Sequence, residues 1–221
     1  MAHLLLFIGF SLASLYWLFI ATEGVFLGRR VVVWLYDLVA KRYDNIKSFV
    51  PADEQFLVAK PILETINPAT SCLLDVACGT GRVARAILPN QLFHGQIVVL
   101  DASTKMLAIA KEKLADYPGR VQFIHHPVTP LPFDNQQFEA VTCLEALEFF
   151  PSDQLALQEM VRVLRPGGFL IITRRRGWEG WAFLHRYRSQ ANQANLLTKL
   201  GLKNIQFHLW EINYDLVTAQ K

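Results

Sequence analysis

The sequence predicts an α/β fold: a mostly parallel, doubly wound, seven-stranded sheet with a C-terminal antiparallel hairpin, preceded by one N-terminal transmembrane helix. Three observations support this prediction. Strand-like and helix-like stretches alternate between residues 71 and 173, two further strand-like runs follow residue 201, and the first 22 residues carry no Asp, Glu, Lys or Arg. The rest of the chain has an ordinary apolar content, which excludes a disordered chain and a multi-span membrane protein.

The N-terminal segment, residues 1–24, is predicted to be a membrane anchor. From residue 4 to 21 only Gly9, Ser11 and Ser14 interrupt the apolar run, which approaches the ~20 residues that cross a hydrocarbon core. Lys and Arg residues follow this run and none precedes it, so we expect an outside N-terminus and a cytoplasmic main domain. A signal peptide and a buried core helix are the alternatives. A signal peptide would need a basic N-terminal region, and no Lys or Arg precedes the apolar run. A buried core helix would normally carry polar residues along one face, and no such face recurs here.

Residues 25–68 are expected to form a juxtamembrane and helical segment before the main domain, residues 69–221. The apolar run 31–36 is too short to span a membrane and predicts a helix or strand that lies at the bilayer surface or caps the domain. Residues 37–49 are interpreted as a polar connector with the repeated pairs Tyr36-Asp37 and Tyr43-Asp44. A helix is predicted over 53–66, stopped by Asn67-Pro68.

The main domain is expected to alternate strands with helices. Strands are predicted at 72–77, 96–100, 121–124, 138–143 and 169–173, and two final strands at 205–210 and 214–219. Helices are predicted from the glycines after the first strand to residue 88, and over 103–115 and 153–164. Such a sheet is covered on both faces and binds ligands beyond the carboxyl ends of its strands.

A glycine-rich turn follows the first strand, in the stretch Asp75-Val-Ala-Cys-Gly-Thr-Gly81. Glycines let the backbone approach a ligand closely, and the start of the next helix offers free N–H groups to an anion. Asp101 ends the second strand, where a carboxylate can accept hydrogen bonds from both ribose hydroxyls. The loop by itself also fits a dinucleotide-binding pattern with Ala84 in its last position, so a nicotinamide-dependent enzyme is an open alternative here.

Four stretches, in order, resemble class I S-adenosylmethionine-dependent methyltransferases with a type 11/25-like domain. They are Asp75-Val-Ala-Cys-Gly-Thr-Gly81, Leu100-Asp-Ala-Ser-Thr-Lys-Met-Leu107, Leu131-Pro-Phe-Asp-Asn-Gln-Gln-Phe-Glu-Ala-Val141 and Leu164-Arg-Pro-Gly-Gly168. The resemblance implies a Rossmann-like fold, S-adenosylmethionine as the cofactor, and methyl transfer. It also implies a set of cofactor-binding residues: Asp75, Ala77, Cys78, Gly79, Thr80, Gly81, Asp101, Ala102, Met106 and Val128.

The chain departs from that family pattern at two positions. Ala77 stands where the family usually has the first glycine of the turn. Pro127 stands where the family usually has an acid that binds the adenine amino group, and Val128 or His126 would have to supply that contact instead.

Two carboxylates are candidates for a general base. Methyl transfer requires an acceptor held in line with an activated methyl group, and a base only if the acceptor loses a proton. Glu145 and Glu148 follow the fourth strand on the ligand side of the sheet, with surface carboxylates as the alternative interpretation. No metal site is predicted, because His125 and His126 point to opposite faces of a strand and the three cysteines show no close pairing.

The segment after the fifth strand combines arginine with tryptophan. Its residues predicted to contact substrate or a membrane surface are Arg174, Arg175, Arg176, Trp178 and Trp181. Arginine and tryptophan suit a lipid headgroup region or an anionic amphiphile, while a solvated basic loop is the alternative. The formal net charge of +3 is too small to indicate nucleic acid.

Together these features predict a membrane-anchored methyltransferase. Its acceptor is expected to be small and hydrophobic or amphiphilic: a lipid, a quinone or a thiol at the cytoplasmic membrane surface. The alternatives are a non-catalytic, membrane-tethered cofactor-binding module and, with less support, an NAD(P)-dependent oxidoreductase. The acceptor atom and the oligomeric state are left open by the sequence.

Overall fold

A seven-stranded sheet forms the centre of the structure, a computed structural model that describes residues 1–67, 72–91 and 93–221. The strands are β1 (Cys72–Val76), β2 (Gln96–Asp101), β3 (Val121–His125), β4 (Phe138–Cys143), β5 (Leu164–Arg175), β6 (Lys203–Glu211) and β7 (Tyr214–Gln220). Their order is β3-β2-β1-β4-β5-β7-β6. Strands β1 to β5 are parallel, whereas β7 is antiparallel to both β5 and β6. The predicted sheet and its closing hairpin are confirmed.

Nine α-helices accompany the sheet in the described part of the chain. They are α1 (Ala2–Tyr16), α2 (Arg29–Val39), α3 (Tyr43–Lys47), α4 (Pro51–Glu54), α5 (Lys60–Thr65), α6 (Arg82–Ile87), α7 (Thr104–Lys113), α8 (Asp153–Val163) and α9 (Gln190–Lys199). Short 3₁₀ or π-helical turns cover Trp17–Ala21, Val25–Leu27, Ala40–Arg42, Gln55–Ala59, Leu147–Phe149 and Trp178–Arg186. Helix α9 has no counterpart among the predicted elements, because its Asn and Gln residues obscure the apolar spacing.

Strand β5 is longer than the sequence predicts. The strand begins at Leu164 and not at residue 169. Leu164 pairs with Phe138 of β4, and the register between the two strands shifts after this pair. Gly168 allows this close pairing, because a Cβ atom there would lie 2.7 Å from the carbonyl oxygen of Glu139. The Pro-Gly-Gly stretch, residues 166–168, is therefore part of strand β5.

Both faces of the sheet are covered by apolar side chains. Adjacent residues of β1 point to opposite faces: Leu74 packs in one cluster with Leu157 of α8, and Leu73 packs in the other with Ile87 of α6. Because both faces are buried, the carboxyl edge of the parallel strands is left as the place where polar groups converge.

The apolar N-terminal helix stands clear of the domain. Residues 3–21 have a mean hydropathy of 2.2, and none of this window is buried. Length and composition suit a membrane span, and an N-terminal signal sequence would have the same properties. The end of this helix packs on the link that follows it, since Trp17 stacks on Phe26 at 4.9 Å, and Arg186 of the domain donates to the carbonyl of Val25 in that link.

Residues 37–49 are not a polar connector, and that prediction is wrong. They belong to α2, a 3₁₀ turn and α3, which lie across the carboxyl edge of the sheet. Their polar side chains bind the domain: Asp37 accepts a hydrogen bond from Ser103, and Asp44 accepts one from Thr80 at 2.6 Å. The run 31–36 is thus helical and caps the domain. The predicted domain boundary between residues 68 and 69 lies outside the described residues.

Candidate active site

The turn after β1 has an unusual backbone. Ala77, Gly79 and Gly81 all adopt positive φ angles of +56°, +54° and +83°. Glycine tolerates this region, whereas Ala77 accepts a strain of about 1 kcal/mol there. A side chain at Gly81 would also meet Leu114 at 3.0 Å. The turn is therefore held in one shape by its backbone and by the helix behind it.

Two buried carboxylates lie at the ends of adjacent strands. One oxygen of Asp75 accepts a hydrogen bond from Thr142 at 2.8 Å, and its other oxygen has no hydrogen-bond partner among the described residues. Burial raises the pKa of Asp75 to about 7, although the Thr142 hydroxyl opposes this shift. Asp101 accepts backbone N–H groups of Gly79 and Ser103, each at 2.8 Å, and burial raises its pKa as well. The Asp101 carboxylate thereby joins the end of β2 to the glycine turn after β1.

A cavity of about 110 Å³ adjoins these carboxylates. Its sheet-side lining contains the predicted cofactor residues Ala77, Gly79, Asp101, Ala102 and Val128. A smaller cavity of about 40 Å³ shares Ala77 and Gly79 with it and is lined by Asp75, Cys78 and Thr80. The structure therefore brings eight of the ten predicted cofactor residues to one continuous site.

Met106 and Gly81 line neither cavity. Met106 is buried in the core, where its backbone N–H donates to the Ser103 side chain at 3.0 Å. Gly81 packs against Ala110 of α7 and against Leu114, which directly follows that helix. Both residues support the site from behind, and the contact of Met106 with the cofactor stays a prediction.

The roof of the cavity comes from residues whose site role the sequence reasoning missed. They are Val32, Val33, Tyr36 and Tyr43 from helices α2 and α3, with Phe149 from the turn after β4. Tyr43 lies over the glycine turn, with a ring carbon 3.9 Å from the position of a Cβ on Gly79. The repeated Tyr-Asp pairs were the available signal: in each pair the tyrosine lines the cavity and the aspartate binds the domain.

An ion-pair network centred on Arg82 borders the site. The Arg82 guanidinium donates to Glu54 at 2.6 Å, to Glu211 at 2.8 Å, and to Glu145. It lies between the rings of Phe49 and Trp210, at 4.3 and 5.0 Å from their centroids. This network joins the first helix of the domain, the turn after β4, the N-terminal helices and the C-terminal hairpin.

Glu145 and Glu148 occupy different surroundings, and neither is a surface carboxylate. Glu145 also pairs with Lys47 at 2.7 Å and lines the cofactor-side cavities. Glu148 is buried on another side, where it accepts a hydrogen bond from Tyr214, and burial raises its pKa. Of the two base candidates, only Glu145 therefore reaches the cavity.

The arginine-rich segment is largely structural. Arg174 is buried and pairs with Asp215 at 2.5 Å, because the two residues are opposite each other in the β5–β7 register. The prediction that Arg174 contacts substrate or membrane is therefore wrong, as is a freely solvated basic loop. Arg175 lies over the ring of Phe183 at 4.6 Å. Arg176 is partly exposed 3.7 Å from Asp215, Trp181 is 70% exposed, and the Trp178 side chain lies outside what the structure describes.

The residues present fit a cofactor that carries an amino-acid end and an adenosine. The unpartnered oxygen of Asp75 can accept from an ammonium group, and Asp101 can accept from ribose hydroxyls in addition to its backbone donors. Leu100 and Val128 offer apolar contacts for a purine. At the two departures, Ala77 takes the glycine-like conformation, and His126 lines the cavity with Nδ1 2.8 Å from the Pro127 carbonyl oxygen.

The strand order, the glycine turn and the paired acids define the class I S-adenosylmethionine-dependent methyltransferase fold. Residues 74–172 match the family model described as "Methyltransferase domain". This match covers slightly less than half of the chain and includes the five parallel strands almost completely, so this part of the chain is similar to methyltransferase domains.

Among curated proteins, the chain is similar to the demethylmenaquinone methyltransferase of Staphylococcus epidermidis. The two are 33% identical over 134 residues, which is 60% of this chain and 55% of the relative. The protein of the same name from Staphylococcus haemolyticus is 30% identical over 60% of this chain and 56% of its own length. The chain thus spans about half the length of the curated relatives it matches.

Among solved structures, the chain is similar to the [4+2]-cyclase SpnF, with a TM-score of 0.72 and 20% identity over 86% of this chain and 94% of that one. It is also similar to a putative S-adenosyl-L-methionine-dependent methyltransferase from Methanococcus maripaludis, with a TM-score of 0.67 and 21% identity over 84% and 93% of the chains. These likenesses show the fold. Because one of these proteins is named a cyclase, the reaction has to be argued from the site.

Proposed function

We propose that the chain is an S-adenosylmethionine-dependent methyltransferase that acts on a small hydrophobic or amphiphilic acceptor at the cytoplasmic surface of a membrane. The observation that carries this proposal is the buried, unpartnered oxygen of Asp75 beside a glycine turn and a second buried acid, Asp101. A buried carboxylate oxygen without a donor is costly, and the ammonium group of the cofactor would supply that donor.

Within this proposal, the chain's own residues bind and orient. Asp75 accepts from the amino group, Asp101 accepts from the ribose, and Ala102 and Val128 contact the adenine. When bound, S-adenosylmethionine would supply an activated methyl group to the acceptor and would become S-adenosylhomocysteine, and a proton that the acceptor loses would pass to Glu145 or to water. The roof residues Tyr36 and Tyr43 exclude water from the site, which favours alignment of the acceptor with the methyl group.

An open groove of about 660 Å³ is the proposed acceptor site. It runs between residues 47–57 and the β6–β7 turn and meets the cofactor cavity at Glu145, which lines both. Its outer end carries the exposed apolar side chains of Val50, Leu209 and Ile212, and its inner end carries charged groups. A polar head with an apolar chain fits this gradient, and the names of the curated relatives favour a quinone nucleus as the head.

The apolar helix α1 is proposed to anchor the protein, with the N-terminus outside and the domain in the cytoplasm. Its unburied apolar surface and the basic residues that follow it support this arrangement. The full chain is then expected to stay in the membrane fraction after alkaline extraction, with a C-terminal tag digested only in opened cells. Release of an intact or shortened chain by alkaline extraction would contradict the anchor.

Asp101→Asn is expected to weaken binding of S-adenosylhomocysteine by about tenfold, because the amide offers one acceptor oxygen where the carboxylate offers two. Calorimetry on the full chain in lipid nanodiscs measures this, with Asp116→Asn on the exposed surface as the matched control. S-adenosylmethionine should bind and NAD should not. Preferential binding of NAD would favour an oxidoreductase, and cofactor binding without turnover on any quinone would favour the tethered module.

Glu145→Gln is expected to lower turnover of a quinone acceptor by about tenfold, less than the ~10²–10⁴-fold typical of a general base. Lys47 and Arg82 already donate to Glu145, so its oxygens are only partly available to take a proton. Glu148→Gln should leave turnover within about twofold, since Glu148 lies away from the cavity. Equal effects of both substitutions on the pH–rate profile would remove Glu145 from this role.

A further inference from the structure

Helix α2 has one face toward the cofactor cavity and another that is exposed. Its inner face closes the cofactor cavity through Val32, Val33 and Tyr36. Its outer face exposes two large apolar side chains, Trp34 and Leu38, to 54% and 58% of their full surface. A domain-capping helix that still exposes tryptophan and leucine has an unpartnered apolar stripe.

The outer stripe combines apolar and basic side chains. Arg30, Trp34 and Leu38 are four residues apart and therefore lie along one side of the helix. Leu27, which precedes the helix, is 42% exposed, and Lys41 and Arg42 follow it with exposed side chains. None of the three basic residues forms an ion pair with another residue in the described ranges. Unpaired cations beside tryptophan and leucine match the chemistry of an anionic lipid surface.

The stripe is held close to the end of the apolar helix. Seven residues, 22–28, separate the last turn at Ala21 from the start of α2 at Arg29. This short link is fixed to the domain, because Arg186 donates to the carbonyl of Val25 and its guanidinium lies 5.4 Å from the Phe26 ring. With about 16 Å of length for eleven residues, α2 lies within reach of any bilayer that contains α1.

We propose that the outer stripe of α2 docks on an anionic lipid surface, and that this contact tightens cofactor binding. The stripe consists of Leu27, Arg30, Trp34, Leu38, Lys41 and Arg42. Because one helix carries the stripe and the roof of the cavity, holding its outer face at the membrane keeps its inner face closed over the cofactor. The inference rests on the proposed anchored methyltransferase and adds the lipid dependence of that same site.

The test uses the full chain in nanodiscs of phosphatidylcholine alone or mixed with phosphatidylglycerol. The triple variant Arg30→Glu, Lys41→Glu, Arg42→Glu is compared with a matched variant, Lys111→Glu, Lys199→Glu, Lys203→Glu, which reverses three exposed charges on other helices and strands. Two quantities are measured: the dissociation constant of S-adenosylhomocysteine and the quenching of tryptophan emission by brominated lipid. Trp34→Phe and the exposed Trp181→Phe identify the quenched tryptophan.

Anionic lipid is expected to tighten S-adenosylhomocysteine binding by about fivefold in the native chain and in the matched variant, but not in the α2 variant. Quenching should fall more in Trp34→Phe than in Trp181→Phe. Equal affinity in both membranes overturns the coupling, and quenching that ignores Trp34 overturns the docking. If the affinity depends on the number of protein copies per disc and not on the lipid charge, the stripe contacts a second copy of the chain, and the docking on lipid is overturned. Loss of cofactor binding in every membrane, with Trp34 still quenched, contradicts the proposed function and leaves the docking supported.

Discussion

Replacing Arg82 with alanine is expected to lower the free energy of unfolding by about 3–5 kcal/mol at neutral pH. The Arg82 side chain is only 11% exposed and donates to Glu54, Glu145 and Glu211. Removal of Arg82 leaves the three carboxylates close to one another. Of these, Glu145 still pairs with a cation, Lys47. An exposed surface pair contributes only about 0–1 kcal/mol, so burial and the threefold partnership make this loss large.

Arg85→Ala is the matched control for this experiment. Arg85 lies one turn further along α6, its side chain is 32% exposed, and its partner Asp44 is also held by Lys113. Its replacement is expected to cost less than about 1 kcal/mol. Urea unfolding of the full chain in detergent micelles compares the two variants. Equal losses would show that the network around Arg82 contributes no more than a surface pair.

The stability of Arg82→Ala should also depend on pH. Burial and the neighbouring Glu145 raise the pKa of Glu211, and Arg82 opposes that shift in the native chain. In the variant this opposition is lost, so Glu211 takes up a proton more readily as the pH falls, and its repulsion of the neighbouring carboxylates decreases. The difference from the native protein should therefore shrink between neutral pH and about pH 4. A difference that is constant over this range would contradict the repulsion argument.

The same network explains how the site keeps its shape. Arg82 directly follows Gly81, so its side chain transmits the position of the glycine turn to Glu145 and Glu211. The proposed acceptor groove lies between these segments. A change that loosens Arg82 is therefore expected to disturb the acceptor groove as well as stability.

The strands of the fold were predictable because their signals are local. The run Cys72–Val76 is a short apolar strand closed by glycines, and the predicted bounds of 138–143 agree with β4. The segment 37–49 was misinterpreted because its polar residues resemble a linker when only neighbours in the sequence are considered. Its partners lie far along the chain, as in the contact between Asp44 and Lys113. Sequence spacing carries no signal for such contacts.

The candidate site divides in the same way. Asp75 and Asp101 were predictable, because a motif places each at the end of a strand. Arg174 was misassigned, since its pairing with Asp215 depends on the register between β5 and β7, which the sequence does not determine. Burial of Glu145 likewise depends on Lys47 and Arg82, which approach it from other elements.

Cofactor affinity is expected to rise with pH up to about pH 7 and then level off. Burial raises the pKa of Asp75 to about 7, so below that pH its carboxyl group is largely protonated and cannot attract an ammonium group. Binding then requires loss of this proton, and affinity should fall by about tenfold for each pH unit below the pKa. Calorimetry with S-adenosylhomocysteine between pH 5.5 and 8 gives the profile, in ~0.5-unit steps.

Two substitutions assign this pH dependence to Asp75. Asp75→Asn should weaken binding by about 100-fold at pH 8 and flatten the profile, because a charged hydrogen bond is replaced by a neutral one that does not titrate. Thr142→Val removes the hydroxyl that opposes the upward shift, so the pKa of Asp75 rises and the plateau moves to higher pH. A profile that keeps its slope in Asp75→Asn would assign the titration to another group, with Asp101 as the next carboxylate to test. If Thr142→Val moved the plateau to lower pH, the hydroxyl would not be stabilising the Asp75 carboxylate, and the proposed contact with the ammonium group would lose its electrostatic basis.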